Sequence, residues 1–403
     1  MGAIMKDIVI IANFCRDFSE NDNGRFMYLC KELSKEHKVE IITSDFSHSA
    51  KKHKTQLMHH WPFKITFLHE PGYKKNISLR RFASHYMWGK EVEKYLTRRE
   101  KPDIVYCAVP SLDASLAAAK YCERELVKFI VDIQDLWPEA FHMFFRIPVI
   151  SSILFAPLRI RADNIYKRAD SIFGVSRKYV DRAMSVNKKC TEGHVVYLGT
   201  SLKVFDQNKS STDPIIRKTD DALLLGYCGS LSASYDIHCV LRALKKLADE
   251  GQEPPLFIVM GDGAKKVEFE KEASDMGVKA VFLGRLSYDK MCAQLSQCDM
   301  VVNPITKGSA ATIINKHADY AAAGKPIINT QESIEYRELV EEYNMGINCV
   351  NGDYKAVADA IELLTNDVNL RIAMGHNARK CAEEKFDRAK SYRDIVDCIH
   401  ELT

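Results

Sequence analysis

The chain has 403 residues, of which 46% are hydrophobic and 28% are charged. Lys and Arg total 57 against 54 Asp and Glu, so the formal net charge is only +3. These values exclude a disordered chain, a collagen-like fibre and a small disulfide scaffold, and the length predicts two or three domains.

Short β-branched runs alternate with longer amphipathic segments along the chain. In the first half the runs are 7–13, 39–45, 65–70, 103–110, 128–135, 171–176 and 194–199. Most are continuously apolar, as expected of parallel strands buried on both faces. Phe26, Leu29, Cys30 and Leu33 mark one helical stripe between the first two runs. Residues 201–221 are polar with one proline and read as a linker. The alternation resumes at 223–229, 256–261, 280–284, 299–305, 326–330 and 347–350. Two such blocks predict an α/β protein of two doubly wound domains, with ligands at the loops leaving the carboxyl ends of the strands.

Those loops hold the candidate residues. The first, residues 14–25, lacks the G-x-G-x-x-G spacing of a dinucleotide site, but ends in Asn23-Gly24 at a helix start. Such a start can receive an anion on its backbone N–H groups, or can be a simple turn. The fifth run ends in Asp132-Ile133-Gln134-Asp135-Leu136-Trp137-Pro138-Glu139. Asp135 can orient an acceptor hydroxyl and Trp137 can stack on a sugar; alternatively they are a helix cap and core filling. Gly229-Ser230-Leu231 with Tyr235-Asp236, and then Gly261-Asp262-Gly263, let backbone approach a phosphate closely.

The most informative stretch is Asn303 to Thr312, leading into a helix predicted over 313–323 and stopped by Gly324-Lys325-Pro326. Thr312, Lys316 and Asp319 then share one face, where Lys316 can meet a diphosphate and Asp319 a ribose. The plain alternative is a surface Lys–Asp pair, worth a few tenths of a kcal/mol.

The 12 cysteines include no C-x-x-C pair, which disfavours zinc-ribbon and iron–sulfur sites and fits a reducing cytosol. The apolar run at 8–12 is too short for a secretory signal, and 147–158 falls below the ~20 residues of a spanning helix. The expectation is therefore a cytoplasmic protein, soluble or resting on a membrane surface. Residues 1–200 carry 32 basic and 23 acidic side chains, against 25 and 31 in the remainder. Residues 51–100 alone hold 12 basic and 4 acidic groups, interleaved with Trp61, Phe63, Phe67, Tyr73, Phe82, Tyr86 and Trp88. With the apolar run at 147–158 they suggest peripheral contact with an anionic membrane, or else a buried connector beside a solvated loop.

The run Asn315-Lys316-His317-Ala318-Asp319-Tyr320-Ala321-Ala322-Ala323-Gly324-Lys325-Pro326 resembles that of a retaining GT-B glycosyltransferase of family 4, of the bacterial capsule, O-antigen and exopolysaccharide kind. Asp135 to Glu139, Gly24, and Gly229-Ser230-Leu231 with Tyr235-Asp236 support it in the right order over nearly the whole chain. The resemblance implies two Rossmann-like domains facing across a cleft: acceptor-binding 1–205, nucleotide-sugar-binding 206–385, and a final helical segment 386–403 that can cross back. It implies a UDP-sugar donor held by Gly24, Gly229, Ser230, Arg285, Leu286, Thr312, Ile313, Lys316 and Asp319. The acceptor, a saccharide or polyprenyl-diphosphate-linked sugar, would meet Asn23, Arg25, Trp137 and Glu139. Asp135 and Lys316 take the catalytic roles, and no cofactor or metal is implied. The family pattern places two glutamates with seven residues between them; here the positions fall on Ala311 and Asp319. Two other readings share the fold, a nucleotide-sugar epimerase and a non-catalytic sugar-nucleotide-binding protein. Nucleic-acid binding lacks both a motif and a strong basic charge.

Overall fold

The computed structural model describes residues 5–16, 18, 24–54, 60–76, 78–139, 148–219, 222–309 and 312–402, with side chains omitted for 148–154. Two units emerge, the first made of Met1–Tyr197 with Tyr392–Thr403 and the second of Leu198–Ser391. The break thus falls at Tyr197, ahead of the expected position at residue 205, and the final twelve residues belong to the first unit.

The first unit contains β1 (Asp7–Ile11), α1 (Arg25–Leu33), β2 (Lys38–Ser44), β3 (Phe46–Ser47), β4 (Lys52–His53), β5 (Lys64–Leu68) and α2 (Leu79–Arg98). It continues with β6 (Ile104–Val109), α3 (Leu112–Glu125), β7 (Lys128–Ile133), α4 (Pro148–Tyr166), β8 (Ser171–Gly174), α5 (Arg177–Met184) and β9 (His194–Val195). Seven strands form one parallel sheet in the order β5-β2-β1-β6-β7-β8-β9, while β3 and β4 make a separate antiparallel hairpin. The central strands are apolar because helices cover both faces: every residue of β6 is buried.

The second unit begins with α6 (Leu202–Ser211), then β10 (Leu224–Cys228), α7 (Ile237–Asp249), β11 (Leu256–Met260), α8 (Lys266–Asp275), β12 (Ala280–Gly284), α9 (Tyr288–Gln297), β13 (Met300–Asn303), α10 (Asn315–Ala322), β14 (Ile327–Asn329) and β15 (Gly346–Asn348). Its six strands are ordered β12-β11-β10-β13-β14-β15, again parallel. The expected linker at 201–221 is corrected by α6. Ser201 caps that helix by accepting from the Val204 N–H, and buried Leu202 and Phe205 anchor it.

Within the first unit, Arg25 opens α1 and is 5% exposed, so it does not face an acceptor as expected. Its guanidinium makes a two-point pair with Asp132, at 2.8 and 3.0 Å. A further N–H group donates to the Val196 and Tyr197 carbonyls and to the Tyr392 hydroxyl. This bond network ties α1, β7 and the chain's last segment together. The aromatic-rich stretch is also more buried than an interfacial surface requires: Trp88, Tyr73 and Phe63 are core residues, while Tyr86 stays open. Replacing Arg25 with Ala leaves the Asp132 carboxylate buried without its counter-charge. Urea denaturation should show a loss of about 3–5 kcal/mol, whereas a loss under ~1 kcal/mol would mean that the pair is not desolvated.

Candidate functional site

In the second unit the loops after β10 and β11 close on each other beyond the carboxyl edge of the sheet. Gly229 donates its N–H to the Met260 carbonyl at 3.0 Å, and Leu231 donates to the Asp262 carbonyl at 2.9 Å. Gly229 has φ of +150°, and a Cβ on Gly261 would overlap the Gly229 carbonyl oxygen. A side chain at 261 would part the loops, and one at 229 would crowd the Tyr227 hydroxyl and Lys316, which explains the glycines.

Lys316 lies beneath that turn. It is the second residue of α10 and only 7% exposed. Its ammonium sits 4.4 Å from the centre of the Tyr227 ring and 3.9 Å from that of Tyr235, with no hydrogen-bond partner among the described residues. A Cβ on Gly229 would stand 3.0 Å from its Nζ, so a ligand touching the glycine backbone would be within reach of the charge. Ring faces compensate only part of an ammonium's lost hydration. Burial accordingly pushes the Lys316 pKa from 10.5 down to about 7.

The start of α10 falls later than the spacing predicts. Ile314 is extended and serves as the cap residue, while His317 Nδ1 accepts from the Ile314 N–H at 3.2 Å. Thr312 therefore precedes the helix, and its carbonyl accepts from Gln331 Nε2 at 2.8 Å. The shared face of Thr312, Lys316 and Asp319 reduces to the last two, and Lys316 moves up to the exposed N–H end. His317 is buried and held neutral by that burial, so it adds no second charge there. Its ring stacks on Tyr336.

Asp319 accepts from the Tyr288 hydroxyl at 2.9 Å, and Tyr288 also meets the Thr200 hydroxyl at 2.7 Å. Ile313 is buried, Ser230 and Arg285 are exposed and Leu286 is half-buried. Arg285 and Leu286 directly follow β12, an edge strand two places from β10. Ala311 lies outside the described residues, as does Asn23 of the first unit. Tyr227 and Tyr235, which complete the setting of Lys316, were not among the expected site residues. The aromatic spacing around Gly229 was the available signal.

The carboxyl edge of the first unit carries a second group. Gly24 caps α1 in an extended conformation, without a side-chain hydrogen bond. Asp135 follows β7 and accepts from Trp137 Nε1 at 3.2 Å. Burial raises its pKa, and the Trp137 bond partly offsets that rise. Trp137 is 4% exposed, so it is not the open sugar platform expected. Instead it stacks on His85 at 5.5 Å, and the Arg81 guanidinium covers it at 4.5 Å from the ring centre. Glu139 is also engaged, accepting from Arg182 Nε at 2.6 Å. Among the described residues, Asp45, His53 and His69 could together ligate a metal, with ligand atoms within 4.8 Å of one another.

Residues 208–381 match the family model described as glycosyl transferases group 1. The chain is 22% identical over 321 residues, 75% of each chain, to WcaI of Escherichia coli K12, assigned to colanic acid biosynthesis as a glycosyl transferase. It is 23% identical over 168 residues to a Campylobacter jejuni alpha-1,4-N-acetyl-D-galactosaminyltransferase, covering 41% of this chain and 45% of that one. The name of that enzyme gives its acceptor as a diNAcBac-PP-undecaprenol-linked GalNAc disaccharide. Among solved structures, Anabaena HepE in complex with UDP superposes with a TM-score of 0.67 at 16% identity, over 98% of this chain and 99% of that one. These findings support a glycosyltransferase of the GT-B fold, built on two Rossmann-like domains.

The isolated charge of Lys316 has a measurable effect on stability. Its folded-state pKa lies below the unfolded value, so the unfolded chain binds more protons between pH 7 and 10.5, and stability rises with pH across that window. Lys316→Met should therefore stabilise the protein at pH 6 by on the order of a few kcal/mol, with the gain shrinking towards pH 10. Thermal or urea unfolding across that pH range checks it; a pH-independent difference would contradict the buried, unpaired charge.

Proposed function

We propose that the protein transfers a sugar, an N-acetylated or deoxy hexose, from a UDP-sugar to a saccharide acceptor during surface-polysaccharide synthesis. The observation that carries the donor half is Lys316, a buried cation under a glycine turn and at a helix N-terminus. A diphosphate supplies the counter-charge it lacks, and the helix's unused N–H groups favour the same anion. The UDP complex of HepE supports uracil as the base. Gly229, Ser230 and Ile313 would border the phosphates, with Asp319 towards the ribose.

Transfer breaks the bond from the anomeric carbon to the β-phosphate oxygen and forms one to the acceptor oxygen on the same face. Bonding on the same face retains the configuration, and the acceptor proton goes to the leaving phosphate. Lys316 stabilises the departing diphosphate, aided by Arg285, and this positive charge lets the transfer run without a metal. Asp135, positioned by Trp137, would orient the acceptor hydroxyl. The acceptor named for the Campylobacter relative supports a polyprenyl-diphosphate carrier. Exposed Leu79, Tyr86 and Met87 lie on α2 with exposed Arg80 and Lys90, which supports peripheral contact with an anionic membrane.

Calorimetric titration without metal tests the donor half. UDP should bind more tightly than GDP or ADP, and Lys316→Ala should weaken UDP by about tenfold to a hundredfold. Equal binding by the variant, or no binding of any nucleotide, would overturn the assignment.

A further inference from the structure

Two cations in the first unit stand at the same carboxyl edge with no carboxylate in ion-pair contact among the described residues, although Asp135 and Glu70 attract Arg81 from farther off. Arg81, in the first turn of α2, lies 5.5 Å from the centre of the Tyr73 ring, and Lys51, in the turn between β3 and β4, lies 4.7 Å from it. Both donate to Asn76, Lys51 to its side-chain oxygen and Arg81 to its carbonyl at 2.9 Å. Neither forms an ion pair among the described residues. The Tyr73 hydroxyl between them meets His48 Nδ1 at 2.6 Å. In the same unit Arg25 pairs with Asp132, Arg99 with Asp7 and Glu40, and Arg182 with Glu139 and Asp163, while buried Lys6 donates to the Ile399 and His400 carbonyls.

We propose that Lys51 and Arg81, converging on Tyr73, form a subsite for an anionic group of the acceptor, a phosphoryl or carboxylate oxyanion. This rests on the reading that the first unit binds the acceptor. The charges themselves argue for it. Burial lowers the pKa of both cations, and Arg81 lowers that of Lys51 further. His48 is pushed down to about 4 by burial, then by Lys51 and Arg81, so the histidine beside them stays neutral and gives no relief. An oxyanion relieves this repulsion, and a forked guanidinium with an ammonium beside it matches phosphate or carboxylate oxygens. The aromatic surroundings strengthen the attraction, because Phe14, Tyr73 and Trp137 displace water around Arg81. Arg81 also covers Trp137, the side chain that holds Asp135, so the subsite connects with the residue proposed to orient the hydroxyl.

The test uses the full chain carrying Lys316→Ala, so that the proposed donor-phosphate lysine does not contribute. Calorimetric titrations with inorganic pyrophosphate and with glucuronate separate the two sources of the anion. Adding Arg81→Gln or Lys51→Gln should weaken whichever probe binds by about tenfold or more, with the urea midpoint unchanged. Pyrophosphate binding that depends on both residues supports a phosphoryl group, and glucuronate binding with that dependence supports an acidic sugar. Binding of neither probe, or binding that both glutamine variants leave intact, overturns the proposal. UDP titration of the otherwise native chain keeps the two readings apart: loss of UDP binding alone would remove the donor assignment and leave this subsite standing.

Discussion

A lysine ammonium stripped of water, with two tyrosine rings for company, is costly to bury. Core packing does not explain it, since a methionine would fill the space without charge. The rest of the unit is organised so that the charge is held in place. The Tyr227 hydroxyl is anchored to the Ser230 carbonyl at 2.8 Å, and Tyr320 accepts from the Cys228 N–H at 2.9 Å, fixing the end of β10. Glycines at 229 and 261 keep the roof thin. His317, one residue along, is buried and neutral. The arrangement leaves a buried positive charge near a backbone that a ligand can touch, and trades folding stability for readiness to receive an anion.

The first unit shows both ways of treating a buried or half-buried charge. Arg25 and Asp132 satisfy each other, and their geometry holds α1 to β7 and to the Tyr392 segment; this is architecture. Arg81 and Lys51 make no direct ion pair among the described residues and lie over aromatic faces, with Asp135 and Glu70 attracting Arg81 only from a distance. Such an arrangement is stable only as part of a larger balance. On the proposed reading, each unit has one such arrangement at its carboxyl edge, one for the donor and one for the acceptor.

Much of the fold was legible in the sequence because the strands are continuously apolar: the residues of β6 and β10 are buried throughout, and no helix could absorb such runs without losing its polar face. The helix α6 was misread as a linker because only Leu202 and Phe205 bury, too few to mark a stripe. The hairpin of β3 and β4 has two residues per strand and carries no periodic signal. Within the site, Lys316 was readable from the helix run, whereas the true start of α10 depended on the conformation of Ile314. Arg25 read as a ligand-facing residue because its partner Asp132 is 107 positions away. Arg81, His48 and Tyr73 come from separate segments; the basic and aromatic character of residues 51–100 covers Arg81 and Tyr73, and His48 lies outside it.

The central claim is that the Lys316 ammonium is poised to be completed by a phosphate. Its most direct measurement is the number of protons exchanged when UDP binds at pH 8, from calorimetry in buffers of different ionisation enthalpy. With a pKa of about 7 in the free protein, Lys316 is mostly neutral at that pH, and a bound diphosphate raises the pKa again. Net uptake approaching about one proton is expected, absent in Lys316→Met. Binding of UDP with no proton uptake in the native chain would show that Lys316 does not meet the phosphates.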